Sequence, residues 1–147
     1  MARFEMTLVS SLPAPEAWRR ILNLRAHSEV IPLTTVTGAA LDTSELTPGA
    51  RFVARTGLGP IGFDDVMVIE SYTPPTEHDP GVAHIRKEGR TVTGRITLRV
   101  APTDDGCVVM WKQRIGVRRV PGFADVAVAR VARSAYRRTL LELLRRS

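Results

Sequence analysis

Apolar and polar residues alternate along residues 3–10, with Phe4, Met6, Leu8 and Ser10 on one side and Arg3, Glu5, Thr7 and Val9 on the other. That period predicts a half-buried strand. Ser11-Leu12-Pro13-Ala14-Pro15-Glu16 then carries the signals of a helix start: a polar residue, prolines in the first turn and an early acid. Trp18, Ile21 and Leu22 at helical spacing predict a helix over 15–23, and a second short helical turn over 26–30, which Pro32 ends. From 34 to 115 the pattern reverts to strands: 34–41, 51–56, 63–72, 82–87, 91–100 and 107–115. Thr47-Pro48-Gly49, a glycine-rich stretch at 57–62, Thr73-Pro74-Pro75 and the hairpin signal Asp104-Asp105-Gly106 punctuate them. The segment 123–145 lacks Pro and Gly and is the longest helical pattern in the chain. Strands that follow one another through tight turns pair antiparallel, and their apolar face needs a cover that only the last helix is long enough to supply. The expected fold is therefore α+β, one domain over 1–147: a curved antiparallel sheet of six or seven strands around a long C-terminal helix, with two short helices after the first strand.

Composition narrows the function classes. At 147 residues, with 44% hydrophobic and 24% charged residues, the chain has the length and balance of one globular domain with its own core. The single cysteine, Cys107, lies in an apolar strand run, where it reads as a small buried hydrophobe rather than a nucleophile. No leader-like apolar stretch and no run of about 20 apolar residues is visible, so the cytoplasm is the expected location. The +6 net charge is uneven. From Lys112 onward ten Lys or Arg face two acids, a balance of +8, which leaves −2 over the first 111 residues.

The order of motifs resembles the START-like, helix-grip superfamily (SRPBCC), in particular its polyketide cyclase/dehydrase and lipid-transport group. Residues 4–9 followed by Pro13-Ala14-Pro15-Glu16-Ala17-Trp18 look like the family's opening strand and helix. Glu70-Ser71-Tyr72-Thr73-Pro74-Pro75 looks like its strand ending in a proline corner, and Thr93-Gly94-Arg95-Ile96 like the start of a later strand. Asp105-Gly106-Cys107-Val108-Val109-Met110-Trp111 looks like its hairpin. Where many members have Asp, Pro and Trp after the first helix, this chain has Asn23 and Pro32 and no Trp, which leaves the subfamily open. The resemblance implies a cavity between sheet and helix for a hydrophobic or amphipathic ligand, and it does not by itself imply catalysis.

Alternation nominates the residues that face such a cavity: Phe52, Met67, Ile69, Ile96, Leu98 and Trp111 as apolar wall, with two polar positions, Asp65 and Gln113, on the same faces. Asp65 and Gln113 either reach water near strand ends or orient a ligand's polar groups. Asp64 and Asp65, as strand neighbours, point to opposite faces and do not form a carboxylate pair. On the long helix, Val128, Val131, Ala132, Ala135 and Thr139 form one stripe, with Tyr136 and Arg138 on its flanks and Arg130, Arg133 and Arg137 opposite. Small residues there would leave volume unfilled. Arg138 either pairs with Glu142 one turn on or reaches along the stripe to the pocket mouth.

His27, His78 and His84 lie on separate elements with no metal-ligand spacing, and no cofactor is expected. Gly57-x-Gly59-x-x-Gly62 has the spacing of a dinucleotide loop but sits between antiparallel strands with Pro60 inside it, so it is read as a turn. Three functions compete. They are carriage of a small hydrophobic ligand, a cyclase or aromatase reaction in the same cavity with Asp65, Gln113, Tyr136 and Arg138 as candidates, and anionic-surface or nucleic-acid binding through the basic C-terminal segment. The last is disfavoured because its arginines lack interleaved aromatics. A homodimer is left open.

Overall fold

The computed structural model describes residues 1–39, 41–58 and 60–146. Strand β1 spans Ala2–Ser10, helices α1 and α2 span Ala14–Ile21 and Leu24–Val30, and β2 spans Thr34–Gly38. Five longer strands follow: β3 (Arg51–Leu58), β4 (Ile61–Thr73), β5 (Gly81–Glu88), β6 (Val92–Thr103) and β7 (Gly106–Val117). Helix α3 spans Asp125–Arg145. The strands form one antiparallel sheet in the order β1-β7-β6-β5-β4-β3-β2, in which β1 lies beside β7 and the other neighbours are consecutive in sequence. The expected α+β helix-grip architecture is what the chain adopts. Of the expected strand 34–41, only Thr34–Gly38 is strand, and Ala40 lies outside the described residues, as does Gly59 of the glycine stretch.

Two local devices shape the sheet. The register between β4 and β5 shifts between Ile69 and Ser71. Such an irregularity adds an unpaired residue and bends the strand, which curls the sheet. At the β6–β7 turn Gly106 sits at φ 153°, and a Cβ there would lie 2.1 Å from the Ser10 carbonyl oxygen. Only glycine lets β1 run this close to the turn.

Alternation decides the faces. On β1, Ala2, Phe4, Met6 and Leu8 are buried and the residues between them exposed. On β6 and β7 the buried series are Val92, Ile96, Leu98 and Val100, and Cys107, Val109, Trp111 and Gln113. Helix α1 lays Ala14, Ala17, Trp18 and Ile21 over one end of this concave face. Trp18 Nε1 donates to Tyr72 Oη at 3.0 Å, and Tyr72 donates to the Thr43 carbonyl at 3.1 Å, which ties α1 to β4 and to the loop after β2.

Helix α3 lies across the rest, and its buried face differs from the expected stripe. Ala129, Ala132, Tyr136, Leu140, Leu143 and Leu144 turn inward, whereas Val131 is 71% exposed. The large side chains of Tyr136, Leu140 and Leu143 carry more apolar area than the Val and Ala positions on the neighbouring line, so burying them sets the helix rotation. Arg138 is exposed, and Glu142 pairs with Arg145 at 2.6 Å rather than with Arg138. Arg133 is exposed, as expected, and its Nε donates to the Glu5 carbonyl at 3.0 Å, which holds α3 against β1.

Candidate ligand-binding site

The concave face is not filled evenly. Between β3–β7 and the middle of α3 lies a hollow of about 430 Å³. Its floor is built from Phe52 and Ala54 of β3, Met67 of β4, Ile85 of β5, Ile96 of β6 and Trp111 of β7. Its roof is the small-residue part of α3, Ala132, Ala135 and Thr139, with Tyr136 beside them. Ile21, Leu22, Leu24, His27 and Ile31 close one flank, and Phe63, Thr91, Ile115 and Val117 stand toward the other. Phe63 and Ala135 are exposed and mark the rim. A shallower groove of about 520 Å³ runs between β1 and the start of α3, and one of about 380 Å³ lies on the outer side of α3 around Arg137 and Arg138. Enclosure and an apolar lining, the properties of small-molecule sites, single out the hollow beneath the helix.

Beside scattered threonine hydroxyls, the first polar group of the wall is Asp65 with Tyr136, which share the buried Lys87 behind them. Lys87 follows Ala83 and Ile85 on the inward face of β5, and its side chain is wholly removed from solvent. Its ammonium reaches three acceptors: Asp65 Oδ2, Tyr136 Oη at 2.9 Å and Met67 Sδ at 3.8 Å. Burial alone would pull the Lys87 ammonium down, but the contacts with Tyr136 and Asp65 outweigh it and hold the group above its ordinary value. The lysine is therefore charged and matched by the Asp65 carboxylate. Asp65 Oδ1 is buried with no hydrogen-bond partner. Tyr136 packs its ring 5.3 Å from Trp111 and 5.9 Å from Phe4, which fixes its hydroxyl over the lysine.

A second polar group faces the hollow from α2. His27 Nε2 lies 2.7 Å from the Ile21 carbonyl. An acceptor that close requires the hydrogen on Nε2, and burial holds the imidazole below its ordinary value, in the neutral form.

Of the residues nominated from the sequence, Phe52, Asp65, Met67, Ile96, Trp111 and Ala135 are brought together around the hollow. Ile69 and Leu98 are buried in the packed core instead. Gln113 is 2% exposed and lies off the hollow; its Oε1 accepts from Trp111 Nε1 at 3.0 Å and its Nε2 has no partner. It does not reach water. Val131 and Arg138 face away. Asp64 stands on the opposite face from Asp65 and pairs with Arg55 at 3.1 Å. Cys107 is buried, and burial pushes its thiol up, away from nucleophile chemistry. Sequence reasoning missed Lys87, the buried partner behind Asp65 and Tyr136, and His27, which lines the hollow. The β5 alternation through Ala83 and Ile85 was a signal for Lys87; His27 carries none, since α2 has only a single buried apolar residue, Leu24, to set its phase. Among the described residues no three His, Cys, Asp or Glu side chains gather as a metal site, and no helix is long and apolar enough to cross a membrane.

A curved antiparallel sheet closed by a long C-terminal helix, with a hollow between them, defines a helix-grip protein of the START-like class. The chain belongs to the polyketide cyclase/dehydrase and lipid transport family, whose model matches residues 1–147. No curated protein sequence matches it. Among solved structures it is similar to a START superfamily protein from Mycobacterium smegmatis, with TM-score 0.68, 11% identity, and 98% of this chain and 94% of that one covered. It is also similar to the Zhui aromatase/cyclase from Streptomyces sp. R1128, with TM-score 0.65, 10% identity, and 97% and 90% covered. A conserved protein from Geobacillus kaustophilus aligns with TM-score 0.58, 14% identity, and 96% and 93% covered. Identities this low carry the fold and not the activity.

Proposed function

We propose that this protein binds a small, largely hydrophobic ligand in the hollow between β3–β7 and α3. The observation that carries the reading is the unfilled volume of about 430 Å³ under the alanine-rich part of α3, within the usual size of small-molecule sites. Membership of a family named for both cyclases and lipid transport agrees with it. A dense core is the ordinary outcome of folding, so a wall of this extent left without a filling side chain has a use.

The test is titration with the neutral apolar fluorophore N-phenyl-1-naphthylamine. Saturable enhancement at one site per chain, weakened in Ala132→Leu, is the expected result. No saturable binding would overturn the reading. A second reading, a cyclase-like reaction, draws support from Asp65 and Tyr136 at this wall and Lys87 behind them, a group able to exchange or stabilise protons. It predicts turnover of a poly-β-keto thioester analogue, abolished by Tyr136→Phe while probe binding persists.

A further inference from the structure

The polar corner of the hollow has an inventory that can be read atom by atom. The Lys87 ammonium has three hydrogens and three acceptors, Asp65 Oδ2, Tyr136 Oη and Met67 Sδ. No hydrogen is left over to meet an anion. The charges of Lys87 and Asp65 also cancel, so the corner offers an incoming carboxylate no net attraction. Two capacities remain unused. Asp65 Oδ1 has no donor. Tyr136 Oη accepts from Lys87, and among the described residues no acceptor takes its own hydrogen. Asp65 and Tyr136 both border the hollow. Oδ1 is shielded from solvent as it stands, but the terminal torsion of a carboxylate is soft. A modest turn presents one oxygen to the hollow while the other keeps Lys87.

We propose that the hollow selects neutral ligands carrying a hydroxyl, which donates to the Asp65 carboxylate and accepts from the Tyr136 hydroxyl, and that it discriminates against carboxylates. The inference rests on the ligand-binding reading above and names the ligand's chemical class. The rest of such a ligand is largely apolar, because most of the lining is apolar from Phe52 to Trp111, and of its other polar groups Thr34 and Thr56 bond each other, Thr139 bonds the Ala135 carbonyl and His27 the Ile21 carbonyl. A hydroxyl supplies one donor and one acceptor on a single atom, the complement of the unused acceptor and donor. An ether supplies only the acceptor, and a carboxylate brings a second negative charge to Asp65.

Three compounds of similar shape separate the cases: 2-naphthol, 2-methoxynaphthalene and 2-naphthoate, titrated by calorimetry at neutral pH. The naphthol is expected to bind about tenfold or more tighter than its methyl ether, as the loss of one hydrogen bond to a charged acceptor requires, and the naphthoate weakest of the three. In the double variant Asp65→Asn/Lys87→Met, which removes both charges together and so leaves neither unpaired, the preference for naphthol over ether falls to about twofold or less. Tyr136→Phe lowers naphthol affinity and leaves the ether's order relative to naphthoate unchanged. Equal affinities for naphthol and ether in the unaltered protein would overturn the inference and leave ligand binding intact. Tightest binding of the naphthoate would overturn it by making Lys87 an anion anchor. Failure of all three to bind would remove the ligand-binding reading itself.

Discussion

The two ends of the concave face use the same strands and the same alternation, yet one is solid and the other hollow. At the solid end, Leu98 and Val100 of β6 and Cys107 and Val109 of β7 meet Trp18 of α1, and all five are at most 2% exposed, while Ile21, one turn on, stands at the boundary with the hollow. Two residues further along these strands, Ile96 and Trp111 border open space. What changes is the cover. Helix α1 brings an indole, whereas the facing part of α3 brings Ala132, Ala135 and Thr139. Alternation along strands builds a wall; the side-chain volume on the opposing helix decides whether the wall is a core or a container.

If that contrast is right, truncation should cost most where the packing is closed. Trp18→Ala removes the largest side chain of the solid end together with its bond to Tyr72. It should lower stability by about 3–5 kcal/mol in urea unfolding, the usual cost of a large-to-small change in a core. A loss below about 1 kcal/mol would show that this end is no more closed than the other.

The charged corner of the hollow gives the next effect. Lys87→Met alone strands the Asp65 carboxylate and should cost about 3 kcal/mol, whereas Asp65→Asn/Lys87→Met should recover most of that loss, since a buried pair removed whole is far less damaging than a pair broken. The comparison of single and double variants by chemical denaturation checks it. Ala132→Leu probes the open volume itself. Added methylenes in a dense core cost about 1–3 kcal/mol; here they enter unoccupied space, so stability should change by less than about 1 kcal/mol while affinity for N-phenyl-1-naphthylamine falls about tenfold.

How much of this contrast a reader of the sequence could see follows from the periods involved. A period of two is read directly, and it placed Phe52, Met67, Ile96 and Trp111 on the inner face before any coordinates. It could not separate Ile69 and Leu98, which are packed over, from Ile96, which is not, because that depends on where α1 stops and α3 begins to cover the sheet. The helical period of α3 was harder still. Two neighbouring apolar lines, one through Val128 and Val131 and one through Ala132, Tyr136 and Leu140, compete, and only the depth available to Tyr136 and Leu140 against the sheet decides between them. Lys87 escaped notice because a lysine on an inner face is expected only once its partners on β4 and α3 are known.

The two ends should also titrate apart, and this is the smallest effect. His27, on the flank of the hollow, is held neutral by burial, below the ordinary 6.5. The unfolded chain therefore takes up a proton before the folded one does. Stability that is complete above about pH 6.5 is lost as the pH falls from there toward the lowered value of the folded state, and no further below it. Glu16, on the outside of α1, is held by hydrogen bonds from Arg19 and then Arg20 and is lowered from 4.5 to about 2. Its contribution is complete above 4.5 and is lost between 4.5 and about 2. It should be the weaker of the two because the pair lies at the surface, where water screens it. Urea midpoints collected across pH should thus show two separate declines, the upper one flattened by His27→Gln and the lower one by Glu16→Gln. An upper decline that persists unchanged in His27→Gln would mean that the flank of the hollow is wet enough to charge its histidine freely, and the hollow would then be open to water on that side.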